Sequence, residues 1–223
     1  LLPGYEIVFG AAVTELGRQG QRQQFGNLIA TRLPIAQAQS YPLPYPPDAG
    51  IRTMPRICTT ATVLSDLGPI RIMTTHLEFY SKLQRMAQAK ALVDIHRQAC
   101  GHVVNPPLDD ETGSPFQNKT HTTQAILCGD FNFEPTDAEY GVIQAEAPVG
   151  LSTLKDAWQV AHGVQHAPDP TFRLFDTRYG PVPICCDFVF LSGNLQRQVR
   201  AVTVDGKTQV SDHQPVLLEL GGA

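Results

Sequence analysis

Short aliphatic and β-branched runs recur along the chain, each closed by glycine, proline or a small polar residue. Residues 5–10, 27–31, 58–65, 70–75, 124–128, 186–191, 199–204 and 215–220 have the length and composition of strands. Helical spacing is rarer. Ser81-Lys82-Leu83-Gln84 has the form of a capping box, with the Ser81 hydroxyl as cap. Behind it Met86, Ala89, Leu92, Val93, Ile95 and Ala99 fall on one broad apolar stripe, and Gly101 is the expected stop. A second box, Thr136-Asp137-Ala138-Glu139, opens a short helix behind Pro135, and a third helix is expected over 154–161. Residues 40–55, 101–123 and 163–170 are rich in proline or polar side chains and read as loops. Strand patterns resume beyond each, so residues 1–223 read as a single domain with surface excursions. The order is mostly strands with one long helix, not a strict βαβ alternation. It predicts an α/β fold in which two sheets pack together with helices outside.

Composition narrows the classes. The 223 residues are 42% hydrophobic and 17% charged, the balance of a globular chain. The formal net charge of −4 argues against a chain that grips long stretches of nucleic acid through a basic face, and leaves room for small phosphoesters. Five cysteines without a CxxC spacing suggest neither a disulfide framework nor a zinc site, and reduced thiols favour a reducing compartment such as the cytoplasm. No apolar run is long enough to cross a membrane as a helix, and no signal peptide is visible, although the chain opens Leu1-Leu2-Pro3-Gly4 without an initiator Met.

Four strand ends carry the candidate chemistry. Ile126-Leu127-Cys128 runs into Gly129-Asp130-Phe131-Asn132, whose Asp130 and Asn132 point the same way on extended backbone and suit a divalent metal and a phosphate oxygen. Asp187 heads the apolar run Phe188-Val189-Phe190-Leu191, where a carboxylate needs a partner. Ser211-Asp212-His213-Gln214-Pro215 sets an acid beside a histidine suited to general base work. His76 closes Met73-Thr74-Thr75 and offers a donor to a phosphate; Glu78 is a weaker candidate. Each cluster alone is equally readable as a turn or a capped strand. Trp158 and Arg173 are candidates for stacking on or clamping a substrate.

The ordered set Thr75-His76-Leu77, Gly129-Asp130-Phe131-Asn132, Cys186-Asp187-Phe188-Val189-Phe190 and Ser211-Asp212-His213-Gln214-Pro215 resembles the endonuclease/exonuclease/phosphatase superfamily. The resemblance runs from about Phe25 to Leu220. It implies a four-layer α/β/β/α sandwich of two packed mixed sheets with helices outside, Mg²⁺ or Mn²⁺, and in-line attack of water on phosphorus. Carried onto these residues, it makes His213 the general base and Asp187 its orienting partner. Asp130 and Asn132 would position nucleophile and phosphate, with Asp130 and Asp212 toward the metal, and His76 would stabilise the phosphoryl oxygens. The superfamily also carries an Asn and a metal-binding Glu on two early strands. Glu6 and Glu15 do not stand in that context, so the chain is expected to start after that segment. The reading is a metal-dependent phosphoesterase acting on a phosphodiester or phosphomonoester. A nuclease of the same fold acting on DNA, and a catalytically incomplete binding fragment, stay open. Oligomeric state is not legible.

Overall fold

The computed structural model describes residues 2–149 and 151–221. Ten strands and four helices follow in the order β1 Glu6–Leu16, β2 Arg22–Thr31, β3 Ile35–Pro42, β4 Ile57–Ser65, β5 Gly68–His76, α1 Lys82–Val104, β6 Ala125–Asp130, α2 Ala138–Ile143, β7 Leu154–Asp156, α3 Ala157–His162, β8 Asp187–Ser192, α4 Gly193–Gln196, β9 Val199–Val204 and β10 Val216–Leu220. Six strands form one mixed sheet in the order β3-β4-β5-β6-β8-β7. Only β5 and β6 in it run parallel, joined by the crossover through α1. That joint matters because the parallel register brings the ends of both strands to one edge.

Strand alternation divides the core. Met73, Leu127, Phe188 and Phe190 face α1 and α2, packing on Ala89, Leu92, Val93, Tyr140 and Ile143. Ile70, Ile72, Ile126, Val189 and Leu191 face the other way, onto Ala157, Val202, Val216 and Leu218. The period of two in the apolar runs is the cause, since neighbouring residues must take opposite faces. The architecture is the α/β sandwich class expected from the sequence. Its second sheet layer consists, among the described residues, of two separate antiparallel hairpins, β1-β2 and β9-β10. The β1-β2 hairpin lies close on the main sheet. A Cβ on Gly10 would overlap Thr59 Oγ1, and Asn27 Nδ2 donates to Ile57 O at 2.9 Å.

Local details depart from the sequence reading in four places. Helix α1 runs through Gly101 to Val104, because Asn105 N–H still reaches Gly101 O and supplies the cap one turn later. Ser81 does accept from Gln84 N, but the Gln84 side chain turns away to Pro46 O, so only half of the capping box forms. The third helix begins at Ala157, since Lys155 and its neighbours pair with β8 as an edge strand. β3, unassigned in the sequence, is an edge strand whose alternate glutamines escape an apolar-run test.

Candidate active site

Register builds the site. His76 is paired with Asp130 across β5-β6, and Asp130 with Asp187 across β6-β8, so three strands present one row of ionisable side chains at their ends. The chain behind Asp130 allows the close approach. Gly129 has φ 145°, and a Cβ there would overlap Thr75 O. Asn132 takes φ 53°, with its backbone N–H donating to Asp130 Oδ1 at 2.9 Å and its Nδ2 to Leu77 O at 2.9 Å. This commits the amide nitrogen and leaves the amide oxygen as the free end of the side chain.

His213 arrives from the loop before β10. Its Nδ1 lies 2.8 Å from Asp187 Oδ2, and its Nε2 lies 3.8 Å from Asp130 Oδ2. The Asp187 carboxylate accepts, so Nδ1 carries the proton and Nε2 presents a lone pair. Thr171, fully buried, donates to Asp187 Oδ2 at 2.7 Å and accepts from the Cys186 and Asp187 amides. Phe172 stacks on the His213 ring at 4.4 Å between centroids. Asp187 and the Phe172 ring hold the imidazole directly, and the Thr171 hydroxyl holds Asp187.

The electrostatics separate the two histidines. Burial pushes His213 toward its neutral form, but the hydrogen bond and charge of Asp187, with Asp130 and Asp212 beyond, outweigh it and raise its pKa. Burial, the Arg56 cation and His213 lower His76 from 6.5 to about 4, so its Nε2, 3.3 Å from Asp130 Oδ2, belongs to a neutral ring and the contact is not an ion pair. Burial, reinforced by Asp187, pushes Asp130 up to about 6.

These groups open into a cavity of about 230 Å³ lined by Arg56, His76, Phe79, Tyr80, Asp130, Asn132, Phe172, Tyr179, Asp212 and His213. Arg56 is buried; its Nε meets Glu78 Oε2 at 3.3 Å, while its Nη1 has no protein partner. Glu78 itself is spent on holding Arg56 and the Met54 and Tyr80 amides. Among the described residues the carboxylates on this lining are aspartates, with no glutamate. Asp130, Asp212 and the Asn132 amide oxygen are hard oxygen donors, and the charge that raises Asp130 is what a cation would relieve. The donor set therefore fits a divalent ion of the Mg²⁺ type held partly by water. Ligand atoms of Asp130, Cys186 and His213 also lie within 4.8 Å of one another. Burial and Asp187 hold the Cys186 thiol protonated, and Asp187 occupies one His213 nitrogen, which disfavours a softer metal.

Two candidates stand elsewhere. Trp158 is absent from this lining; it packs against the core behind the main sheet, lies tilted against the His162 ring at 4.1 Å and donates to His166 O. Arg173 also misses the lining, its guanidinium lying over the Phe172 ring at 5.2 Å beside Gly180. Arg56, Thr171 and the aromatic wall were not found from the sequence. An arginine before a strand and a threonine in a proline-rich loop give no signal until the chain is folded.

A profile of the Endonuclease/Exonuclease/phosphatase family matches residues 3–213. The chain belongs to that family. Among curated proteins, none matches the sequence. Solved structures of the same fold include the mannosyl-6-phosphatase Bt3783 of Bacteroides thetaiotaomicron, at 22% identity and a TM-score of 0.65, covering 99% of this chain and 78% of that one. A Neisseria 3′ phosphatase, NExo, bound to a product DNA hairpin, matches at 19% identity and TM-score 0.59 over 98% of this chain and 80% of its own. Truncated TDP2 of Caenorhabditis elegans matches at 18% identity and TM-score 0.55 over 95% and 73%. Members of the endonuclease/exonuclease/phosphatase family are hydrolytic phosphoesterases and generally use divalent metal ions. Among the described residues no helix is long and apolar enough to cross a membrane.

Proposed function

We propose that this chain hydrolyses a small phosphoester by in-line attack of water, with His213 as general base and Mg²⁺ or Mn²⁺ as cofactor. The observation that carries the reading is the Asp187–His213 pair, its free Nε2 directed toward Asp130 inside a cavity that Arg56 also lines. Asp187 keeps the proton on Nδ1 and stabilises the imidazolium formed when Nε2 takes a proton from water. Asp130 accepts from that water and fixes its line of approach. Asn132 offers its amide oxygen and, with Asp130 and Asp212, would hold the metal. The bound cation supplies charge neutralisation at the phosphoryl oxygens. Arg56 sets a positive charge beside those oxygens, and neutral His76 supplies an N–H.

The size of the cavity supports a substrate with one phosphate and a compact leaving group. The rings of Phe79, Tyr80, Phe172 and Tyr179 flank it and give a nuclease reading its support, since aromatic walls stack on bases. Against a long nucleic acid, Arg56 is the one Arg or Lys on this lining.

The test is hydrolysis of a phosphomonoester, a phosphodiester, plasmid DNA and an abasic oligonucleotide, with Mg²⁺ or with EDTA. Turnover of a small ester that EDTA abolishes, and that His213→Ala lowers by roughly 10²–10⁴-fold in a folded protein, is the expected result. Cleavage confined to the DNA substrates would move the assignment to a nuclease. No turnover of any substrate by the folded chain with metal would leave a binding role.

A further inference from the structure

The same sheet carries a second polar cavity, remote from the first. Gln37, Thr62 and Arg71 are register neighbours across β3, β4 and β5, and Gln39 stands opposite Thr60 in the adjoining row. All five line a cavity of about 300 Å³ beneath the C-terminal half of α1. Its position is the opposite end of β5 from His76, roughly 17 Å away at strand rise. No residue lines both cavities.

This face is the wrong chemistry for an interior. Thr60, Thr62 and Arg71 are each more than nine-tenths buried under a helix, beside the apolar cluster of Met73, Leu92 and Leu127. Arg71 is the sharpest case, at 7% exposure. Its Nη1 donates to Thr122 O at 2.9 Å and its Nη2 meets His96 Nδ1 at 2.7 Å, but Nε has no partner. No carboxylate stands on the lining. The neighbouring His96 is held neutral by burial and by Arg71 itself. A buried guanidinium without a counter-charge is costly, and water-sized space beside it does not repay that cost. The rim adds further positive or neutral donors: Lys119, His121 and His102, the two imidazoles stacked at 5.0 Å. Lys119 feels Asp110 in its own loop, so Arg71 is the principal charge.

We propose that this cavity binds a small oxyanion, either free phosphate or the phosphate group of a small phosphorylated molecule, with Arg71 as its counter-charge. The Arg71 guanidinium supplies the positive charge beside the anion; threonine hydroxyls and glutamine amides complete its shell. The volume exceeds that of bare phosphate, so a polar substituent fits beside it.

Phosphate also fits the catalytic cavity, so the experiment must resolve the two sites. Histidine imidazole resonances do so: His102 and His121 report on the proposed site, His76 and His213 on the catalytic one. Titration with inorganic phosphate, and separately with a hexose phosphate, at constant ionic strength is expected to shift both sets, each with its own saturation. Ala99→Phe fills the proposed cavity from α1 and Lys119→Glu reverses the charge at its exposed rim. Each is expected to weaken the His102 and His121 response by about tenfold while leaving the His213 response intact. Arg71→Met is expected to abolish it; should that variant not fold, the other two decide. Tighter binding of the hexose phosphate would assign the site to organic phosphates, and equal binding to free phosphate. Unmoved His102 and His121 resonances where His213 is saturated, or an undiminished response in Ala99→Phe, would overturn the proposal.

Discussion

At one end β5 delivers His76 into a cluster of three aspartates; five residues earlier it delivers Arg71 into a cavity with no acid on its walls. Strand and sheet are shared, but a separation of five residues turns the two side chains to opposite faces, Arg71 toward α1 and His76 away from it, and the two ends hold opposite charge. The difference lies in what neighbouring strands bring to the same register. β6 and β8 end in Asp130 and Asp187 beside His76, whereas β3 and β4 set neutral glutamines and threonines beside Arg71. At the acidic end the surplus is negative charge, which a cation and a proton acceptor can use. At the other it is a buried positive charge, which an anion can use. A sheet thus defines binding chemistry row by row across strands, not strand by strand.

Substitutions can break this contrast one end at a time. The largest effect is expected from Asp187→Asn. It removes both the orienting acceptor and the charge that raises His213, so turnover should fall by roughly 10³-fold. The base works only when deprotonated, so the wild-type rate should rise with pH through the raised His213 pKa, with Asp130 adding a second deprotonation at about 6. In Asp187→Asn the His213 limb should move to lower pH. A pH–rate profile unchanged in position would refute the pairing.

At the other end, His96 accounts for an acid sensitivity. Its pKa is lowered from 6.5 to about 4, first by burial and then by Arg71. The folded state therefore resists a proton that the unfolded chain accepts. Stability from this group is complete above 6.5 and declines as pH falls toward 4, by about 3 kcal/mol in all. Urea unfolding at stepped pH should show that decline, and His96→Gln should remove its share, leaving the similar share of His76, which is lowered over the same window. An equally steep decline in the variant would place the acid sensitivity elsewhere. The smallest effect is expected from Arg56→Lys, which keeps the charge beside Glu78 but loses the Nη1 donor. A rise in KM of about tenfold, with Tm nearly unchanged, is the expected outcome in steady-state assays. An unaltered KM would return Arg56 to a purely structural role.

Much of the main sheet was legible because buried strands write themselves as aliphatic runs, as in β4, β5, β6 and β8. β3 was missed for the opposite reason: its inward side chains Gln37 and Gln39 face a polar cavity, so the run lacks the apolar signature. The same polarity now marks the cavity. Asp130, Asp187 and His213 stood out as polar residues at the ends of apolar runs, a local property. Trp158 and Arg173 were chosen for residue type alone, and type does not say which face of a helix or loop meets the cavity. Thr171 lies in a loop whose role appears only when it meets β8.

The sequence by itself determined the apolar strands, the long helix and which positions carry ionisable groups at strand ends, because burial and backbone periodicity act over a few residues. Only the tertiary structure decided that His76, Asp130 and Asp187 share one row, that His213 closes on Asp187 at 2.8 Å, and that Arg56 and Arg71 point into two separate cavities. Those facts depend on strand register and on contacts between residues far apart in the chain. A one-residue slip would turn every one of these side chains to the opposite face, so the chemistry is set by pairing that no local pattern contains.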